Sequence, residues 1–425
     1  MKLKILLLSM LVSVTASAQV TLKACLDSAS ASYPLLKRYG IIERTTDLSL
    51  SEVNKSWLPS IELYGQGTWQ NALPEFPAAL TDILAQMGQD FKGMGKAQYR
   101  IGVNVNQRIW DGGISKMRRE AEKASADVSR AALDVDMYTL HARVENLFFG
   151  ILLIQEQIAQ TEETVRLLEA NHRRMLAAYE NGVATRADAE IIEAQTLSVK
   201  QQIIRARSAE ESYRRVLSIF TGMNLDGKKL EKPAAEMASD LSSNRPELAL
   251  FDARVRAAEV QRRSVDASLM PSVGFFGQAY YGYPGMDNFK SMRTRDLSFN
   301  MLVGLKVSWN IGSFYSKNNK RAIAALAIND AETDRETFLL NNRMTAALQN
   351  EEIDGIRKSM ADDSRIVELR RSVRMSAESQ LENGVIDATA LLSKITDESQ
   401  AELTARYHEI ELLQKIYELK NTLNR

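Results

Sequence analysis

The feature that most constrains this chain is the absence of helix-breaking residues from two long tracts. The eight prolines stand at 34, 59, 74, 77, 233, 246, 271 and 284, so none lies between 78 and 232 or after 284. Glycine is also sparse there, with only Gly150 and Gly182 between 114 and 221, and only Gly355 and Gly384 after 312. Because proline and glycine interrupt helices, these tracts predict long α-helices rather than an ordinary mixed domain.

Composition excludes several classes of function. The 425 residues include 54 basic and 54 acidic side chains, a balance that gives no electrostatic case for a nucleic-acid partner. One cysteine and three scattered histidines exclude a disulfide framework and leave little for a metal centre. No phosphate-binding loop, HExxH or GxSxG motif occurs, so we expect neither an enzyme nor a cofactor.

Residues 1–18 have the pattern of a signal peptide. Lys2 and Lys4 precede an apolar run that is too short to span a bilayer permanently, and Ala16-Ser17-Ala18 follows as a cleavage site. The chain is therefore predicted to be exported. Cys25 raises the question of a lipid anchor, but it lies ten residues beyond the apolar run, which favours an unlipidated cysteine.

The sequence that follows the predicted signal peptide contains a tandem repeat. The segment LPSIELYGQ (58–66) matches MPSVGFFGQ (270–278) at a spacing of 212, whereas YENGV (179–183) matches LENGV (381–385) at 202. The first copy therefore carries about ten extra residues, in its first hairpin loop. We predict a first repeat over 19–222, a linker over 223–245 and a second repeat over 246–425.

Each repeat is predicted to hold the same elements in the same order. A helix (35–56 and 247–268) precedes two strands, a very long helix (114–180 and 313–382) and a returning helix (186–221 and 388–423). At 1.5 Å per residue the longest helix would extend roughly 100 Å, so the shorter helices could line most of it. The predicted fold class is thus mainly α, with four strands and long coiled-coil helices per chain.

The turns between the long and returning helices contain residues that are typical of helix caps. Gly182 and Gly384 can each take the left-handed conformation that ends a helix. Thr185 and Asp188 then form a capping-box-like pair, and Asp387 is the predicted N-cap in the second copy.

The strand segments alternate between an apolar and a polar face over lengths that suit transmembrane strands of about 9–11 residues. The polar face supplies the candidates for a channel lumen, which are Arg100, Asn104, Asn106, Arg108, Lys306 and Ser308. The four tryptophans are candidate membrane-interface aromatics, namely Trp57, Trp69, Trp110 and Trp309. A soluble hairpin with one face on a core would alternate identically. Four strands cannot close, and hydrocarbon does not tolerate an open edge, so several chains would have to share one β-barrel.

This order of elements resembles the TolC-type outer-membrane efflux family over essentially the whole mature chain. Supporting motifs are TLKACLDSASASYPLL (21–36), NQRIWDGG (106–113), YENGVATRADAEIIEAQ (179–195) and SIFTGMNL (218–225). The resemblance implies a homotrimer, with a 12-strand β-barrel in the outer membrane lipid of a Gram-negative bacterium and a 12-helix tunnel in the periplasm. It also implies a passive exit duct for efflux or type I secretion, whose tips meet a periplasmic membrane-fusion adaptor and an inner-membrane RND- or ABC-type pump.

The sequence departs from the family prototype at one point. The prototype carries acidic residues six and nine positions after the glycine of its second tip, whereas this chain has Ala390 and Ser393 there. That carboxylate gate is therefore not carried over, and Asp387 is expected mainly to cap its helix. Two interpretations of the loop at 71–98 stay open: it is a lid or receptor surface, or it is a variable loop without such a role. The alternative function is a soluble periplasmic coiled-coil scaffold or a membrane-fusion adaptor subunit.

Overall fold

A computed structural model of the protein describes residues 19–74, 77–88, 93–237, 240 and 242–425. The signal peptide predicted over 1–18 lies outside the described residues. The chain divides into two compact units. The helical unit holds the residues up to Gly40, Ala131–Leu250 and Asp334–Arg425, and the sheet unit holds Ile41–Arg130 and Phe251–Thr333.

Long helices dominate the chain, as the missing prolines predict. The helices are α1 (Leu22–Ser32), α2 (Lys37–Lys55), α3 (Ala78–Gln86), α4 (Ile114–Glu180), α5 (Arg186–Thr221), α6 (Pro246–Ala267), α7 (Asn288–Arg293), α8 (Lys317–Glu382) and α9 (Ala388–Leu423). The strands are β1 (Ser60–Trp69), β2 (Ala97–Trp110), β3 (Ser272–Tyr283) and β4 (Ser298–Ser308). In the part of the chain that is described, no helix combines the length and apolarity needed to cross a membrane.

Two differences from the predicted helices have local causes. The helix predicted from 313 begins at Lys317, because Ile311–Ser316 winds as a 3₁₀ helix first. Helix α1 was not predicted, since its 11 residues are rich in serine and alanine and carry little periodicity. Thr21 caps it by accepting a hydrogen bond from the Ala24 amide at 3.2 Å, and burial of Cys25 and Ala29 stabilises it.

The main core of the helical unit lies where α1, α4, α5 and α9 meet. Its fully buried side chains include Val144, Phe148, Phe149, Leu217 and Ile410. The segment predicted as a linker also enters this core through Leu225 and Leu230, and it pairs with the start of the mature chain by a bridge between Leu230 and Val20. Cys25 is a free thiol packed in the same core, where burial raises its pKa to about 11.

The four strands form one antiparallel sheet in the order β1-β2-β3-β4. Directly opposed residues lie on the same face, so the register fixes which side chains share a surface. One face is apolar and largely exposed, with Leu63, Val103, Ala279 and Met301 as examples. The other face carries Glu62, Asn104 and Gln278 in one row.

One residue on this sheet departs from simple alternation. Alternation along β2 assigns Trp110 to the polar face, with Arg108. The register shifts between Arg108 and Trp110, so that Arg108 opposes Gly274 and Trp110 opposes the next residue, Val273. Because a bulge adds one residue to one strand, it moves Trp110 to the apolar face, and the simple alternation was wrong at this position.

Candidate functional site

The two tip turns, 181–187 and 383–387, have the same backbone geometry. Gly182 and Gly384 adopt φ of 77° and 69°, in the left-handed region that favours glycine. The Gly182 amide donates to the Tyr179 carbonyl at 2.9 Å and the Val183 amide to that of Ala178 at 2.9 Å. The second turn repeats both bonds, from Gly384 and Val385, at 3.0 and 2.8 Å. Each long helix therefore ends in a Schellman motif.

The first tip turn leads into α5 through the predicted capping box. The Thr185 hydroxyl accepts a hydrogen bond from the Asp188 amide at 3.3 Å, and the Asp188 carboxylate accepts one from the Thr185 amide at 3.1 Å. The Thr185 hydroxyl also donates to the Asp188 carboxylate at 2.5 Å. The side chains of Thr185 and Asp188 thus each accept a hydrogen bond from the other residue's amide at the N-terminus of the helix.

The second tip turn has a simpler cap. The Asp387 carboxylate accepts a hydrogen bond from the Ala390 amide at 2.8 Å, so Asp387 is the N-cap of α9 as predicted. Ala390 therefore lies in the first turn of α9, and Ser393 is exposed one turn later. Neither position supplies a carboxylate.

Asp188 also links the two tips. The backbone amide of Ala388, the first residue of α9, lies near the Asp188 carboxylate and stabilises the negative charge. The pKa of Asp188 is lowered below its usual range, mainly by the Thr185 hydroxyl. Partial burial acts in the opposite direction, and the amides of Thr185 and Ala388 help to outweigh it. Local sequence patterns could not predict this contact, because it joins residues 200 positions apart.

A cleft of about 610 Å³ lies between the two tip turns. Met175 lines the cleft and packs in a small buried apolar cluster with Ala189, Ile192 and Ala388. Its lining includes Asn171, Arg174, Glu378, Glu382 and both glycines of the turns. The side chains of Val183 and Val385 stand at the tips and are 79% and 70% exposed. Two branched apolar side chains thus project at the ends of otherwise polar turns, a feature typical of a contact surface.

A buried ion-pair network lies behind the cleft and was not anticipated. Glu398 of α9 is 5% exposed and pairs with Arg371 and Arg374 of α8. Arg374 also pairs with Glu378 at 2.8 Å, and Asn171 of α4 donates to Glu378 at 3.2 Å. The sequence shows only charged residues on long helices, which are ordinarily solvated. The network ties α8 to α9 and to α4, close to the second tip.

The lumen candidates share the polar face of the sheet. Arg100 donates to Gln66 at 2.8 Å, and Asn104 donates to Glu62 at 3.4 Å while accepting from Gln278 at 3.1 Å. Arg108 pairs with Asp111 at 3.9 Å. The register places Asn106, Lys306 and Ser308 on this face as well, opposite Phe276, Gly274 and Ser272. The geometry brings all six candidates to one surface, whereas their place in a lumen stays a prediction.

The tryptophans mark both ends of the sheet. Trp57, Trp110 and Trp309 lie where the strands join the helices, and Trp69 lies at the opposite end. The apolar face at that opposite end also exposes Tyr99, Tyr281 and Phe299. Two aromatic belts on an apolar face are the pattern of a membrane-spanning sheet.

The loop at 71–98 contains an unpredicted helix, α3. Leu80, Ile83 and Met87 are exposed along it, at the spacing of one helical face. The end of the loop is fixed by the Gly95 amide, which donates to the Tyr283 hydroxyl at 2.6 Å. The residue before the helix, Pro77, makes no side-chain cap hydrogen bond. The sequence therefore lacks a helix start signal there, and the whole segment was predicted as a loop.

The described residues contain no cluster of histidine, cysteine or carboxylate groups that could hold a metal ion. Comparison with known sequences gives one family. The family described as "Outer membrane efflux protein" matches residues 49–218, which cover β1, β2, α4 and most of α5. No curated protein matches the sequence.

Solved structures share the fold over nearly the whole chain. The outer-membrane channel OprN is 15% identical with a TM-score of 0.69, covering 95% of this chain and 89% of its own. CusC is 14% identical with a TM-score of 0.68, covering 96% and 92%. The CmeC outer membrane channel of Campylobacter jejuni is 14% identical with a TM-score of 0.65, covering 95% and 85%. Residues 49–218 are thus similar in sequence to outer membrane efflux proteins, and the chain as a whole shares the fold of these outer-membrane channels.

Proposed function

We propose that the outer-membrane efflux channel formed by this protein is a homotrimer whose three sheets close into one 12-strand β-barrel. The observation that carries the proposal is a sheet with an exposed apolar face and two unpaired edges, β1 and β4, within one chain. Open edges are not tolerated in hydrocarbon, and the smallest bacterial barrels have about eight strands. The likeness to TolC-type channels supports three chains.

The polar face of the sheet then lines the barrel, with Arg100, Asn104, Asn106, Arg108, Lys306 and Ser308 in contact with water. The apolar face and its tryptophans meet the lipid of the outer membrane. The protein is a passive conduit and not an enzyme, in keeping with its family. Drug, metal and protein cargoes are all compatible with this lining.

The helical unit then belongs to the periplasmic part of the conduit and carries the tip turns. As a component of a tripartite efflux assembly, the channel meets its periplasmic membrane-fusion adaptor there, and through it an RND- or ABC-type inner-membrane pump. The exposed Val183 and Val385 and the cleft between the turns support this contact. The two repeats, 19–222 and 246–425, each supply one tip, and the segment 223–245 joins them.

The alternative of a soluble scaffold or an adaptor subunit fits the structure less well. A soluble hairpin would bury one face of its sheet on a core, whereas here Leu63, Val303 and Leu305 of the apolar face are 74%, 56% and 71% exposed. The family match also includes β1 and β2.

Membrane fractionation and gel mobility test the proposal together. We expect the protein in the outer-membrane fraction, extractable by detergent, and a band of three chains in unheated SDS sample that becomes one chain on heating. Native mass spectrometry of the detergent-solubilised protein should give three copies. Recovery of the protein from the periplasm without detergent would refute the channel, and a different number of copies would refute the trimer.

A further inference from the structure

The segment 309–321, which joins β4 to α8, has an unusual composition. It reads WNIGSFYSKNNKR and holds three aromatic and three basic residues without a single acid. Its first part winds as the 3₁₀ helix Ile311–Ser316. The segment lies at the helix-bearing end of the sheet, where Trp57 and Trp110 also lie.

Contacts within the segment build an aromatic cluster with a cation beside it. The Trp309 indole donates to the Leu269 carbonyl at 2.9 Å, which fixes the ring. Phe314 meets Trp309 edge-on, with ring centroids 6.3 Å apart and planes at 74°. The Lys317 ammonium group lies 5.9 Å from the centroid of Phe314.

The outer surface of this cluster is apolar and uncovered. Tyr315 is 90% exposed and Ile311 is 59% exposed. Both follow directly after β4, where the last pair on the apolar face is Val307 opposite Val273. An amphipathic ring next to an apolar wall is the arrangement that tyrosine and tryptophan adopt at the boundary between hydrocarbon and headgroups.

Two ammonium groups beside this surface have no carboxylate partner. Arg321 pairs with Asp266 at 3.0 Å, but Lys317 and Lys320 form no ion pair within the described residues. At the start of the edge strand β1 that a second copy would offer, residues 53–61 carry Lys55 and no acid, with Glu52 and Glu62 on either side. An anionic lipid headgroup can supply the charge that complements the two lysines.

We propose that the segment 309–321 binds an anionic glycerophospholipid of the periplasmic leaflet of the outer membrane. Lys317 and Lys320 contact the phosphate and the anionic headgroup, and Ile311, Phe314 and Tyr315 enter the upper acyl region. Basic side chains next to a membrane surface attract anionic lipid, and long lysine side chains reach the headgroups from an apolar base. A free phosphate ion would leave the apolar half of this surface uncovered. The inference rests on the proposed function, since it needs the sheet to span the membrane.

Tryptophan fluorescence in vesicles tests the inference directly. In the full chain, Trp57, Trp69 and Trp110 are replaced by phenylalanine, which leaves Trp309 as the reporter next to Phe314. The protein is reconstituted in phosphatidylcholine vesicles that contain, at equal mole fraction, either brominated phosphatidylglycerol or brominated phosphatidylcholine. Because the headgroup is selected by charge, we expect brominated phosphatidylglycerol to quench Trp309 at least about threefold more strongly.

A charge variant and a matched control isolate the lysines. Lys317→Gln with Lys320→Gln should bring the quenching ratio to about one, since the electrostatic attraction is lost. Lys358→Gln with Arg205→Gln removes two exposed basic charges from the helical unit and should keep the ratio of the parent protein. Inorganic phosphate at about 10 mM should leave the ratio unchanged, apart from the small effect of ionic strength.

The outcomes separate this inference from the proposed function. Equal quenching by the two brominated lipids would overturn the lipid selectivity while leaving the membrane-spanning sheet intact. A ratio that phosphate abolishes would assign the lysines to a free anion instead. Absence of quenching in protein that still conducts ions would show that another copy covers the segment, and absence of both quenching and conduction would refute the membrane channel itself.

Discussion

Two regions of the helical unit hold carboxylates in opposite ways. At the tips, Asp188 is half-exposed, accepts hydrogen bonds from the hydroxyl and the amide of Thr185, and lies near the Ala388 amide, so its pKa is lowered. In the core, Glu145 of α4 is 8% exposed and accepts one hydrogen bond, from Asn421 of α9 at 2.9 Å. Burial is the main cause that raises the pKa of Glu145 to about 7, and the negative charge of Glu418 also raises it.

The difference follows from what surrounds each carboxylate. Helix N-termini present several amides to an anion and keep it near water, which stabilises its charged form. The meeting point of α4 and α9 offers one amide, an apolar surround and a second acid, which stabilises the neutral form. A carboxylate at the tips therefore strengthens the turn at neutral pH, whereas the carboxylate in the core weakens the packing there.

The largest expected effect comes from replacing the buried acid by glutamine. The unfolded chain ionises Glu145 near pH 4.5 and the folded chain near 7, so the folded state binds more protons between these values. The charge therefore costs stability as pH rises through that window, by on the order of 3 kcal/mol above pH 7. We expect Glu145→Gln to raise the thermal unfolding midpoint in detergent at pH 8, with the gain disappearing by pH 4.

Glu156, on the same helix, is the matched control. Despite partial burial, its ion pairs with Lys232 at 3.0 Å and Arg406 at 3.3 Å lower its pKa. Glu156→Gln should therefore lower the unfolding midpoint at pH 8, with the loss shrinking below pH 4. The same sign for both variants at pH 8 would contradict the assignment of opposite environments.

The second prediction tests whether the two tip turns have the same backbone conformation. Ala at Gly182 or Gly384 forces a side chain into the left-handed region, at about 1–2 kcal/mol. The amides of Val183 and Val385 report the Schellman bonds, and we expect each variant to speed hydrogen exchange at its own tip by about 5- to 30-fold. A clear difference between the two glycines would show that the turns are not equivalent.

The outcome of sequence reasoning differed between these regions for a physical reason. The tip turns were predicted to the residue, because glycine, threonine and aspartate act within four positions of one another. The contact between Asp188 and Ala388, the ion pairs of Glu398 and the burial of Glu145 were not, because each depends on which helices become neighbours. Trp110 shows the same limit in the sheet, since the strand pairing decides where the bulge falls.

The third prediction compares the two residues of the capping box, Thr185 and Asp188. Asp188→Ala removes the acceptor for the Thr185 amide and the charge near the Ala388 amide, whereas Thr185→Ala removes only the side-chain partner of Asp188 and keeps that charge in place. Both should cost about 1 kcal/mol at the first tip. Only Asp188→Ala should also speed exchange of the Ala388 amide in the second tip. Equal protection of Ala388 in both variants would show that the contact between the tips has no energetic weight.

Acid should reproduce the Asp188→Ala result. Because the folded pKa of Asp188 is depressed, the stability from its charge is present above pH 3.8 and is lost as pH falls through the folded value. Limited proteolysis with pepsin should therefore reach the tips of the wild-type chain at low pH, while Asp188→Ala changes little over the same range. Equal pH dependence in the two proteins would assign the effect to another group.

The smallest effect is expected at Asp387, and it bears on how the channel is gated. Asp387→Ala removes one hydrogen bond, to the Ala390 amide, and should destabilise the start of α9 by about 1 kcal/mol. Because the carboxylate is committed to that amide, its loss should leave single-channel conductance and cation selectivity in planar bilayers unchanged. A marked fall in cation selectivity would instead show that Asp387 faces the aperture, and that one acid three residues after Gly384 replaces the two that Ala390 and Ser393 do not supply.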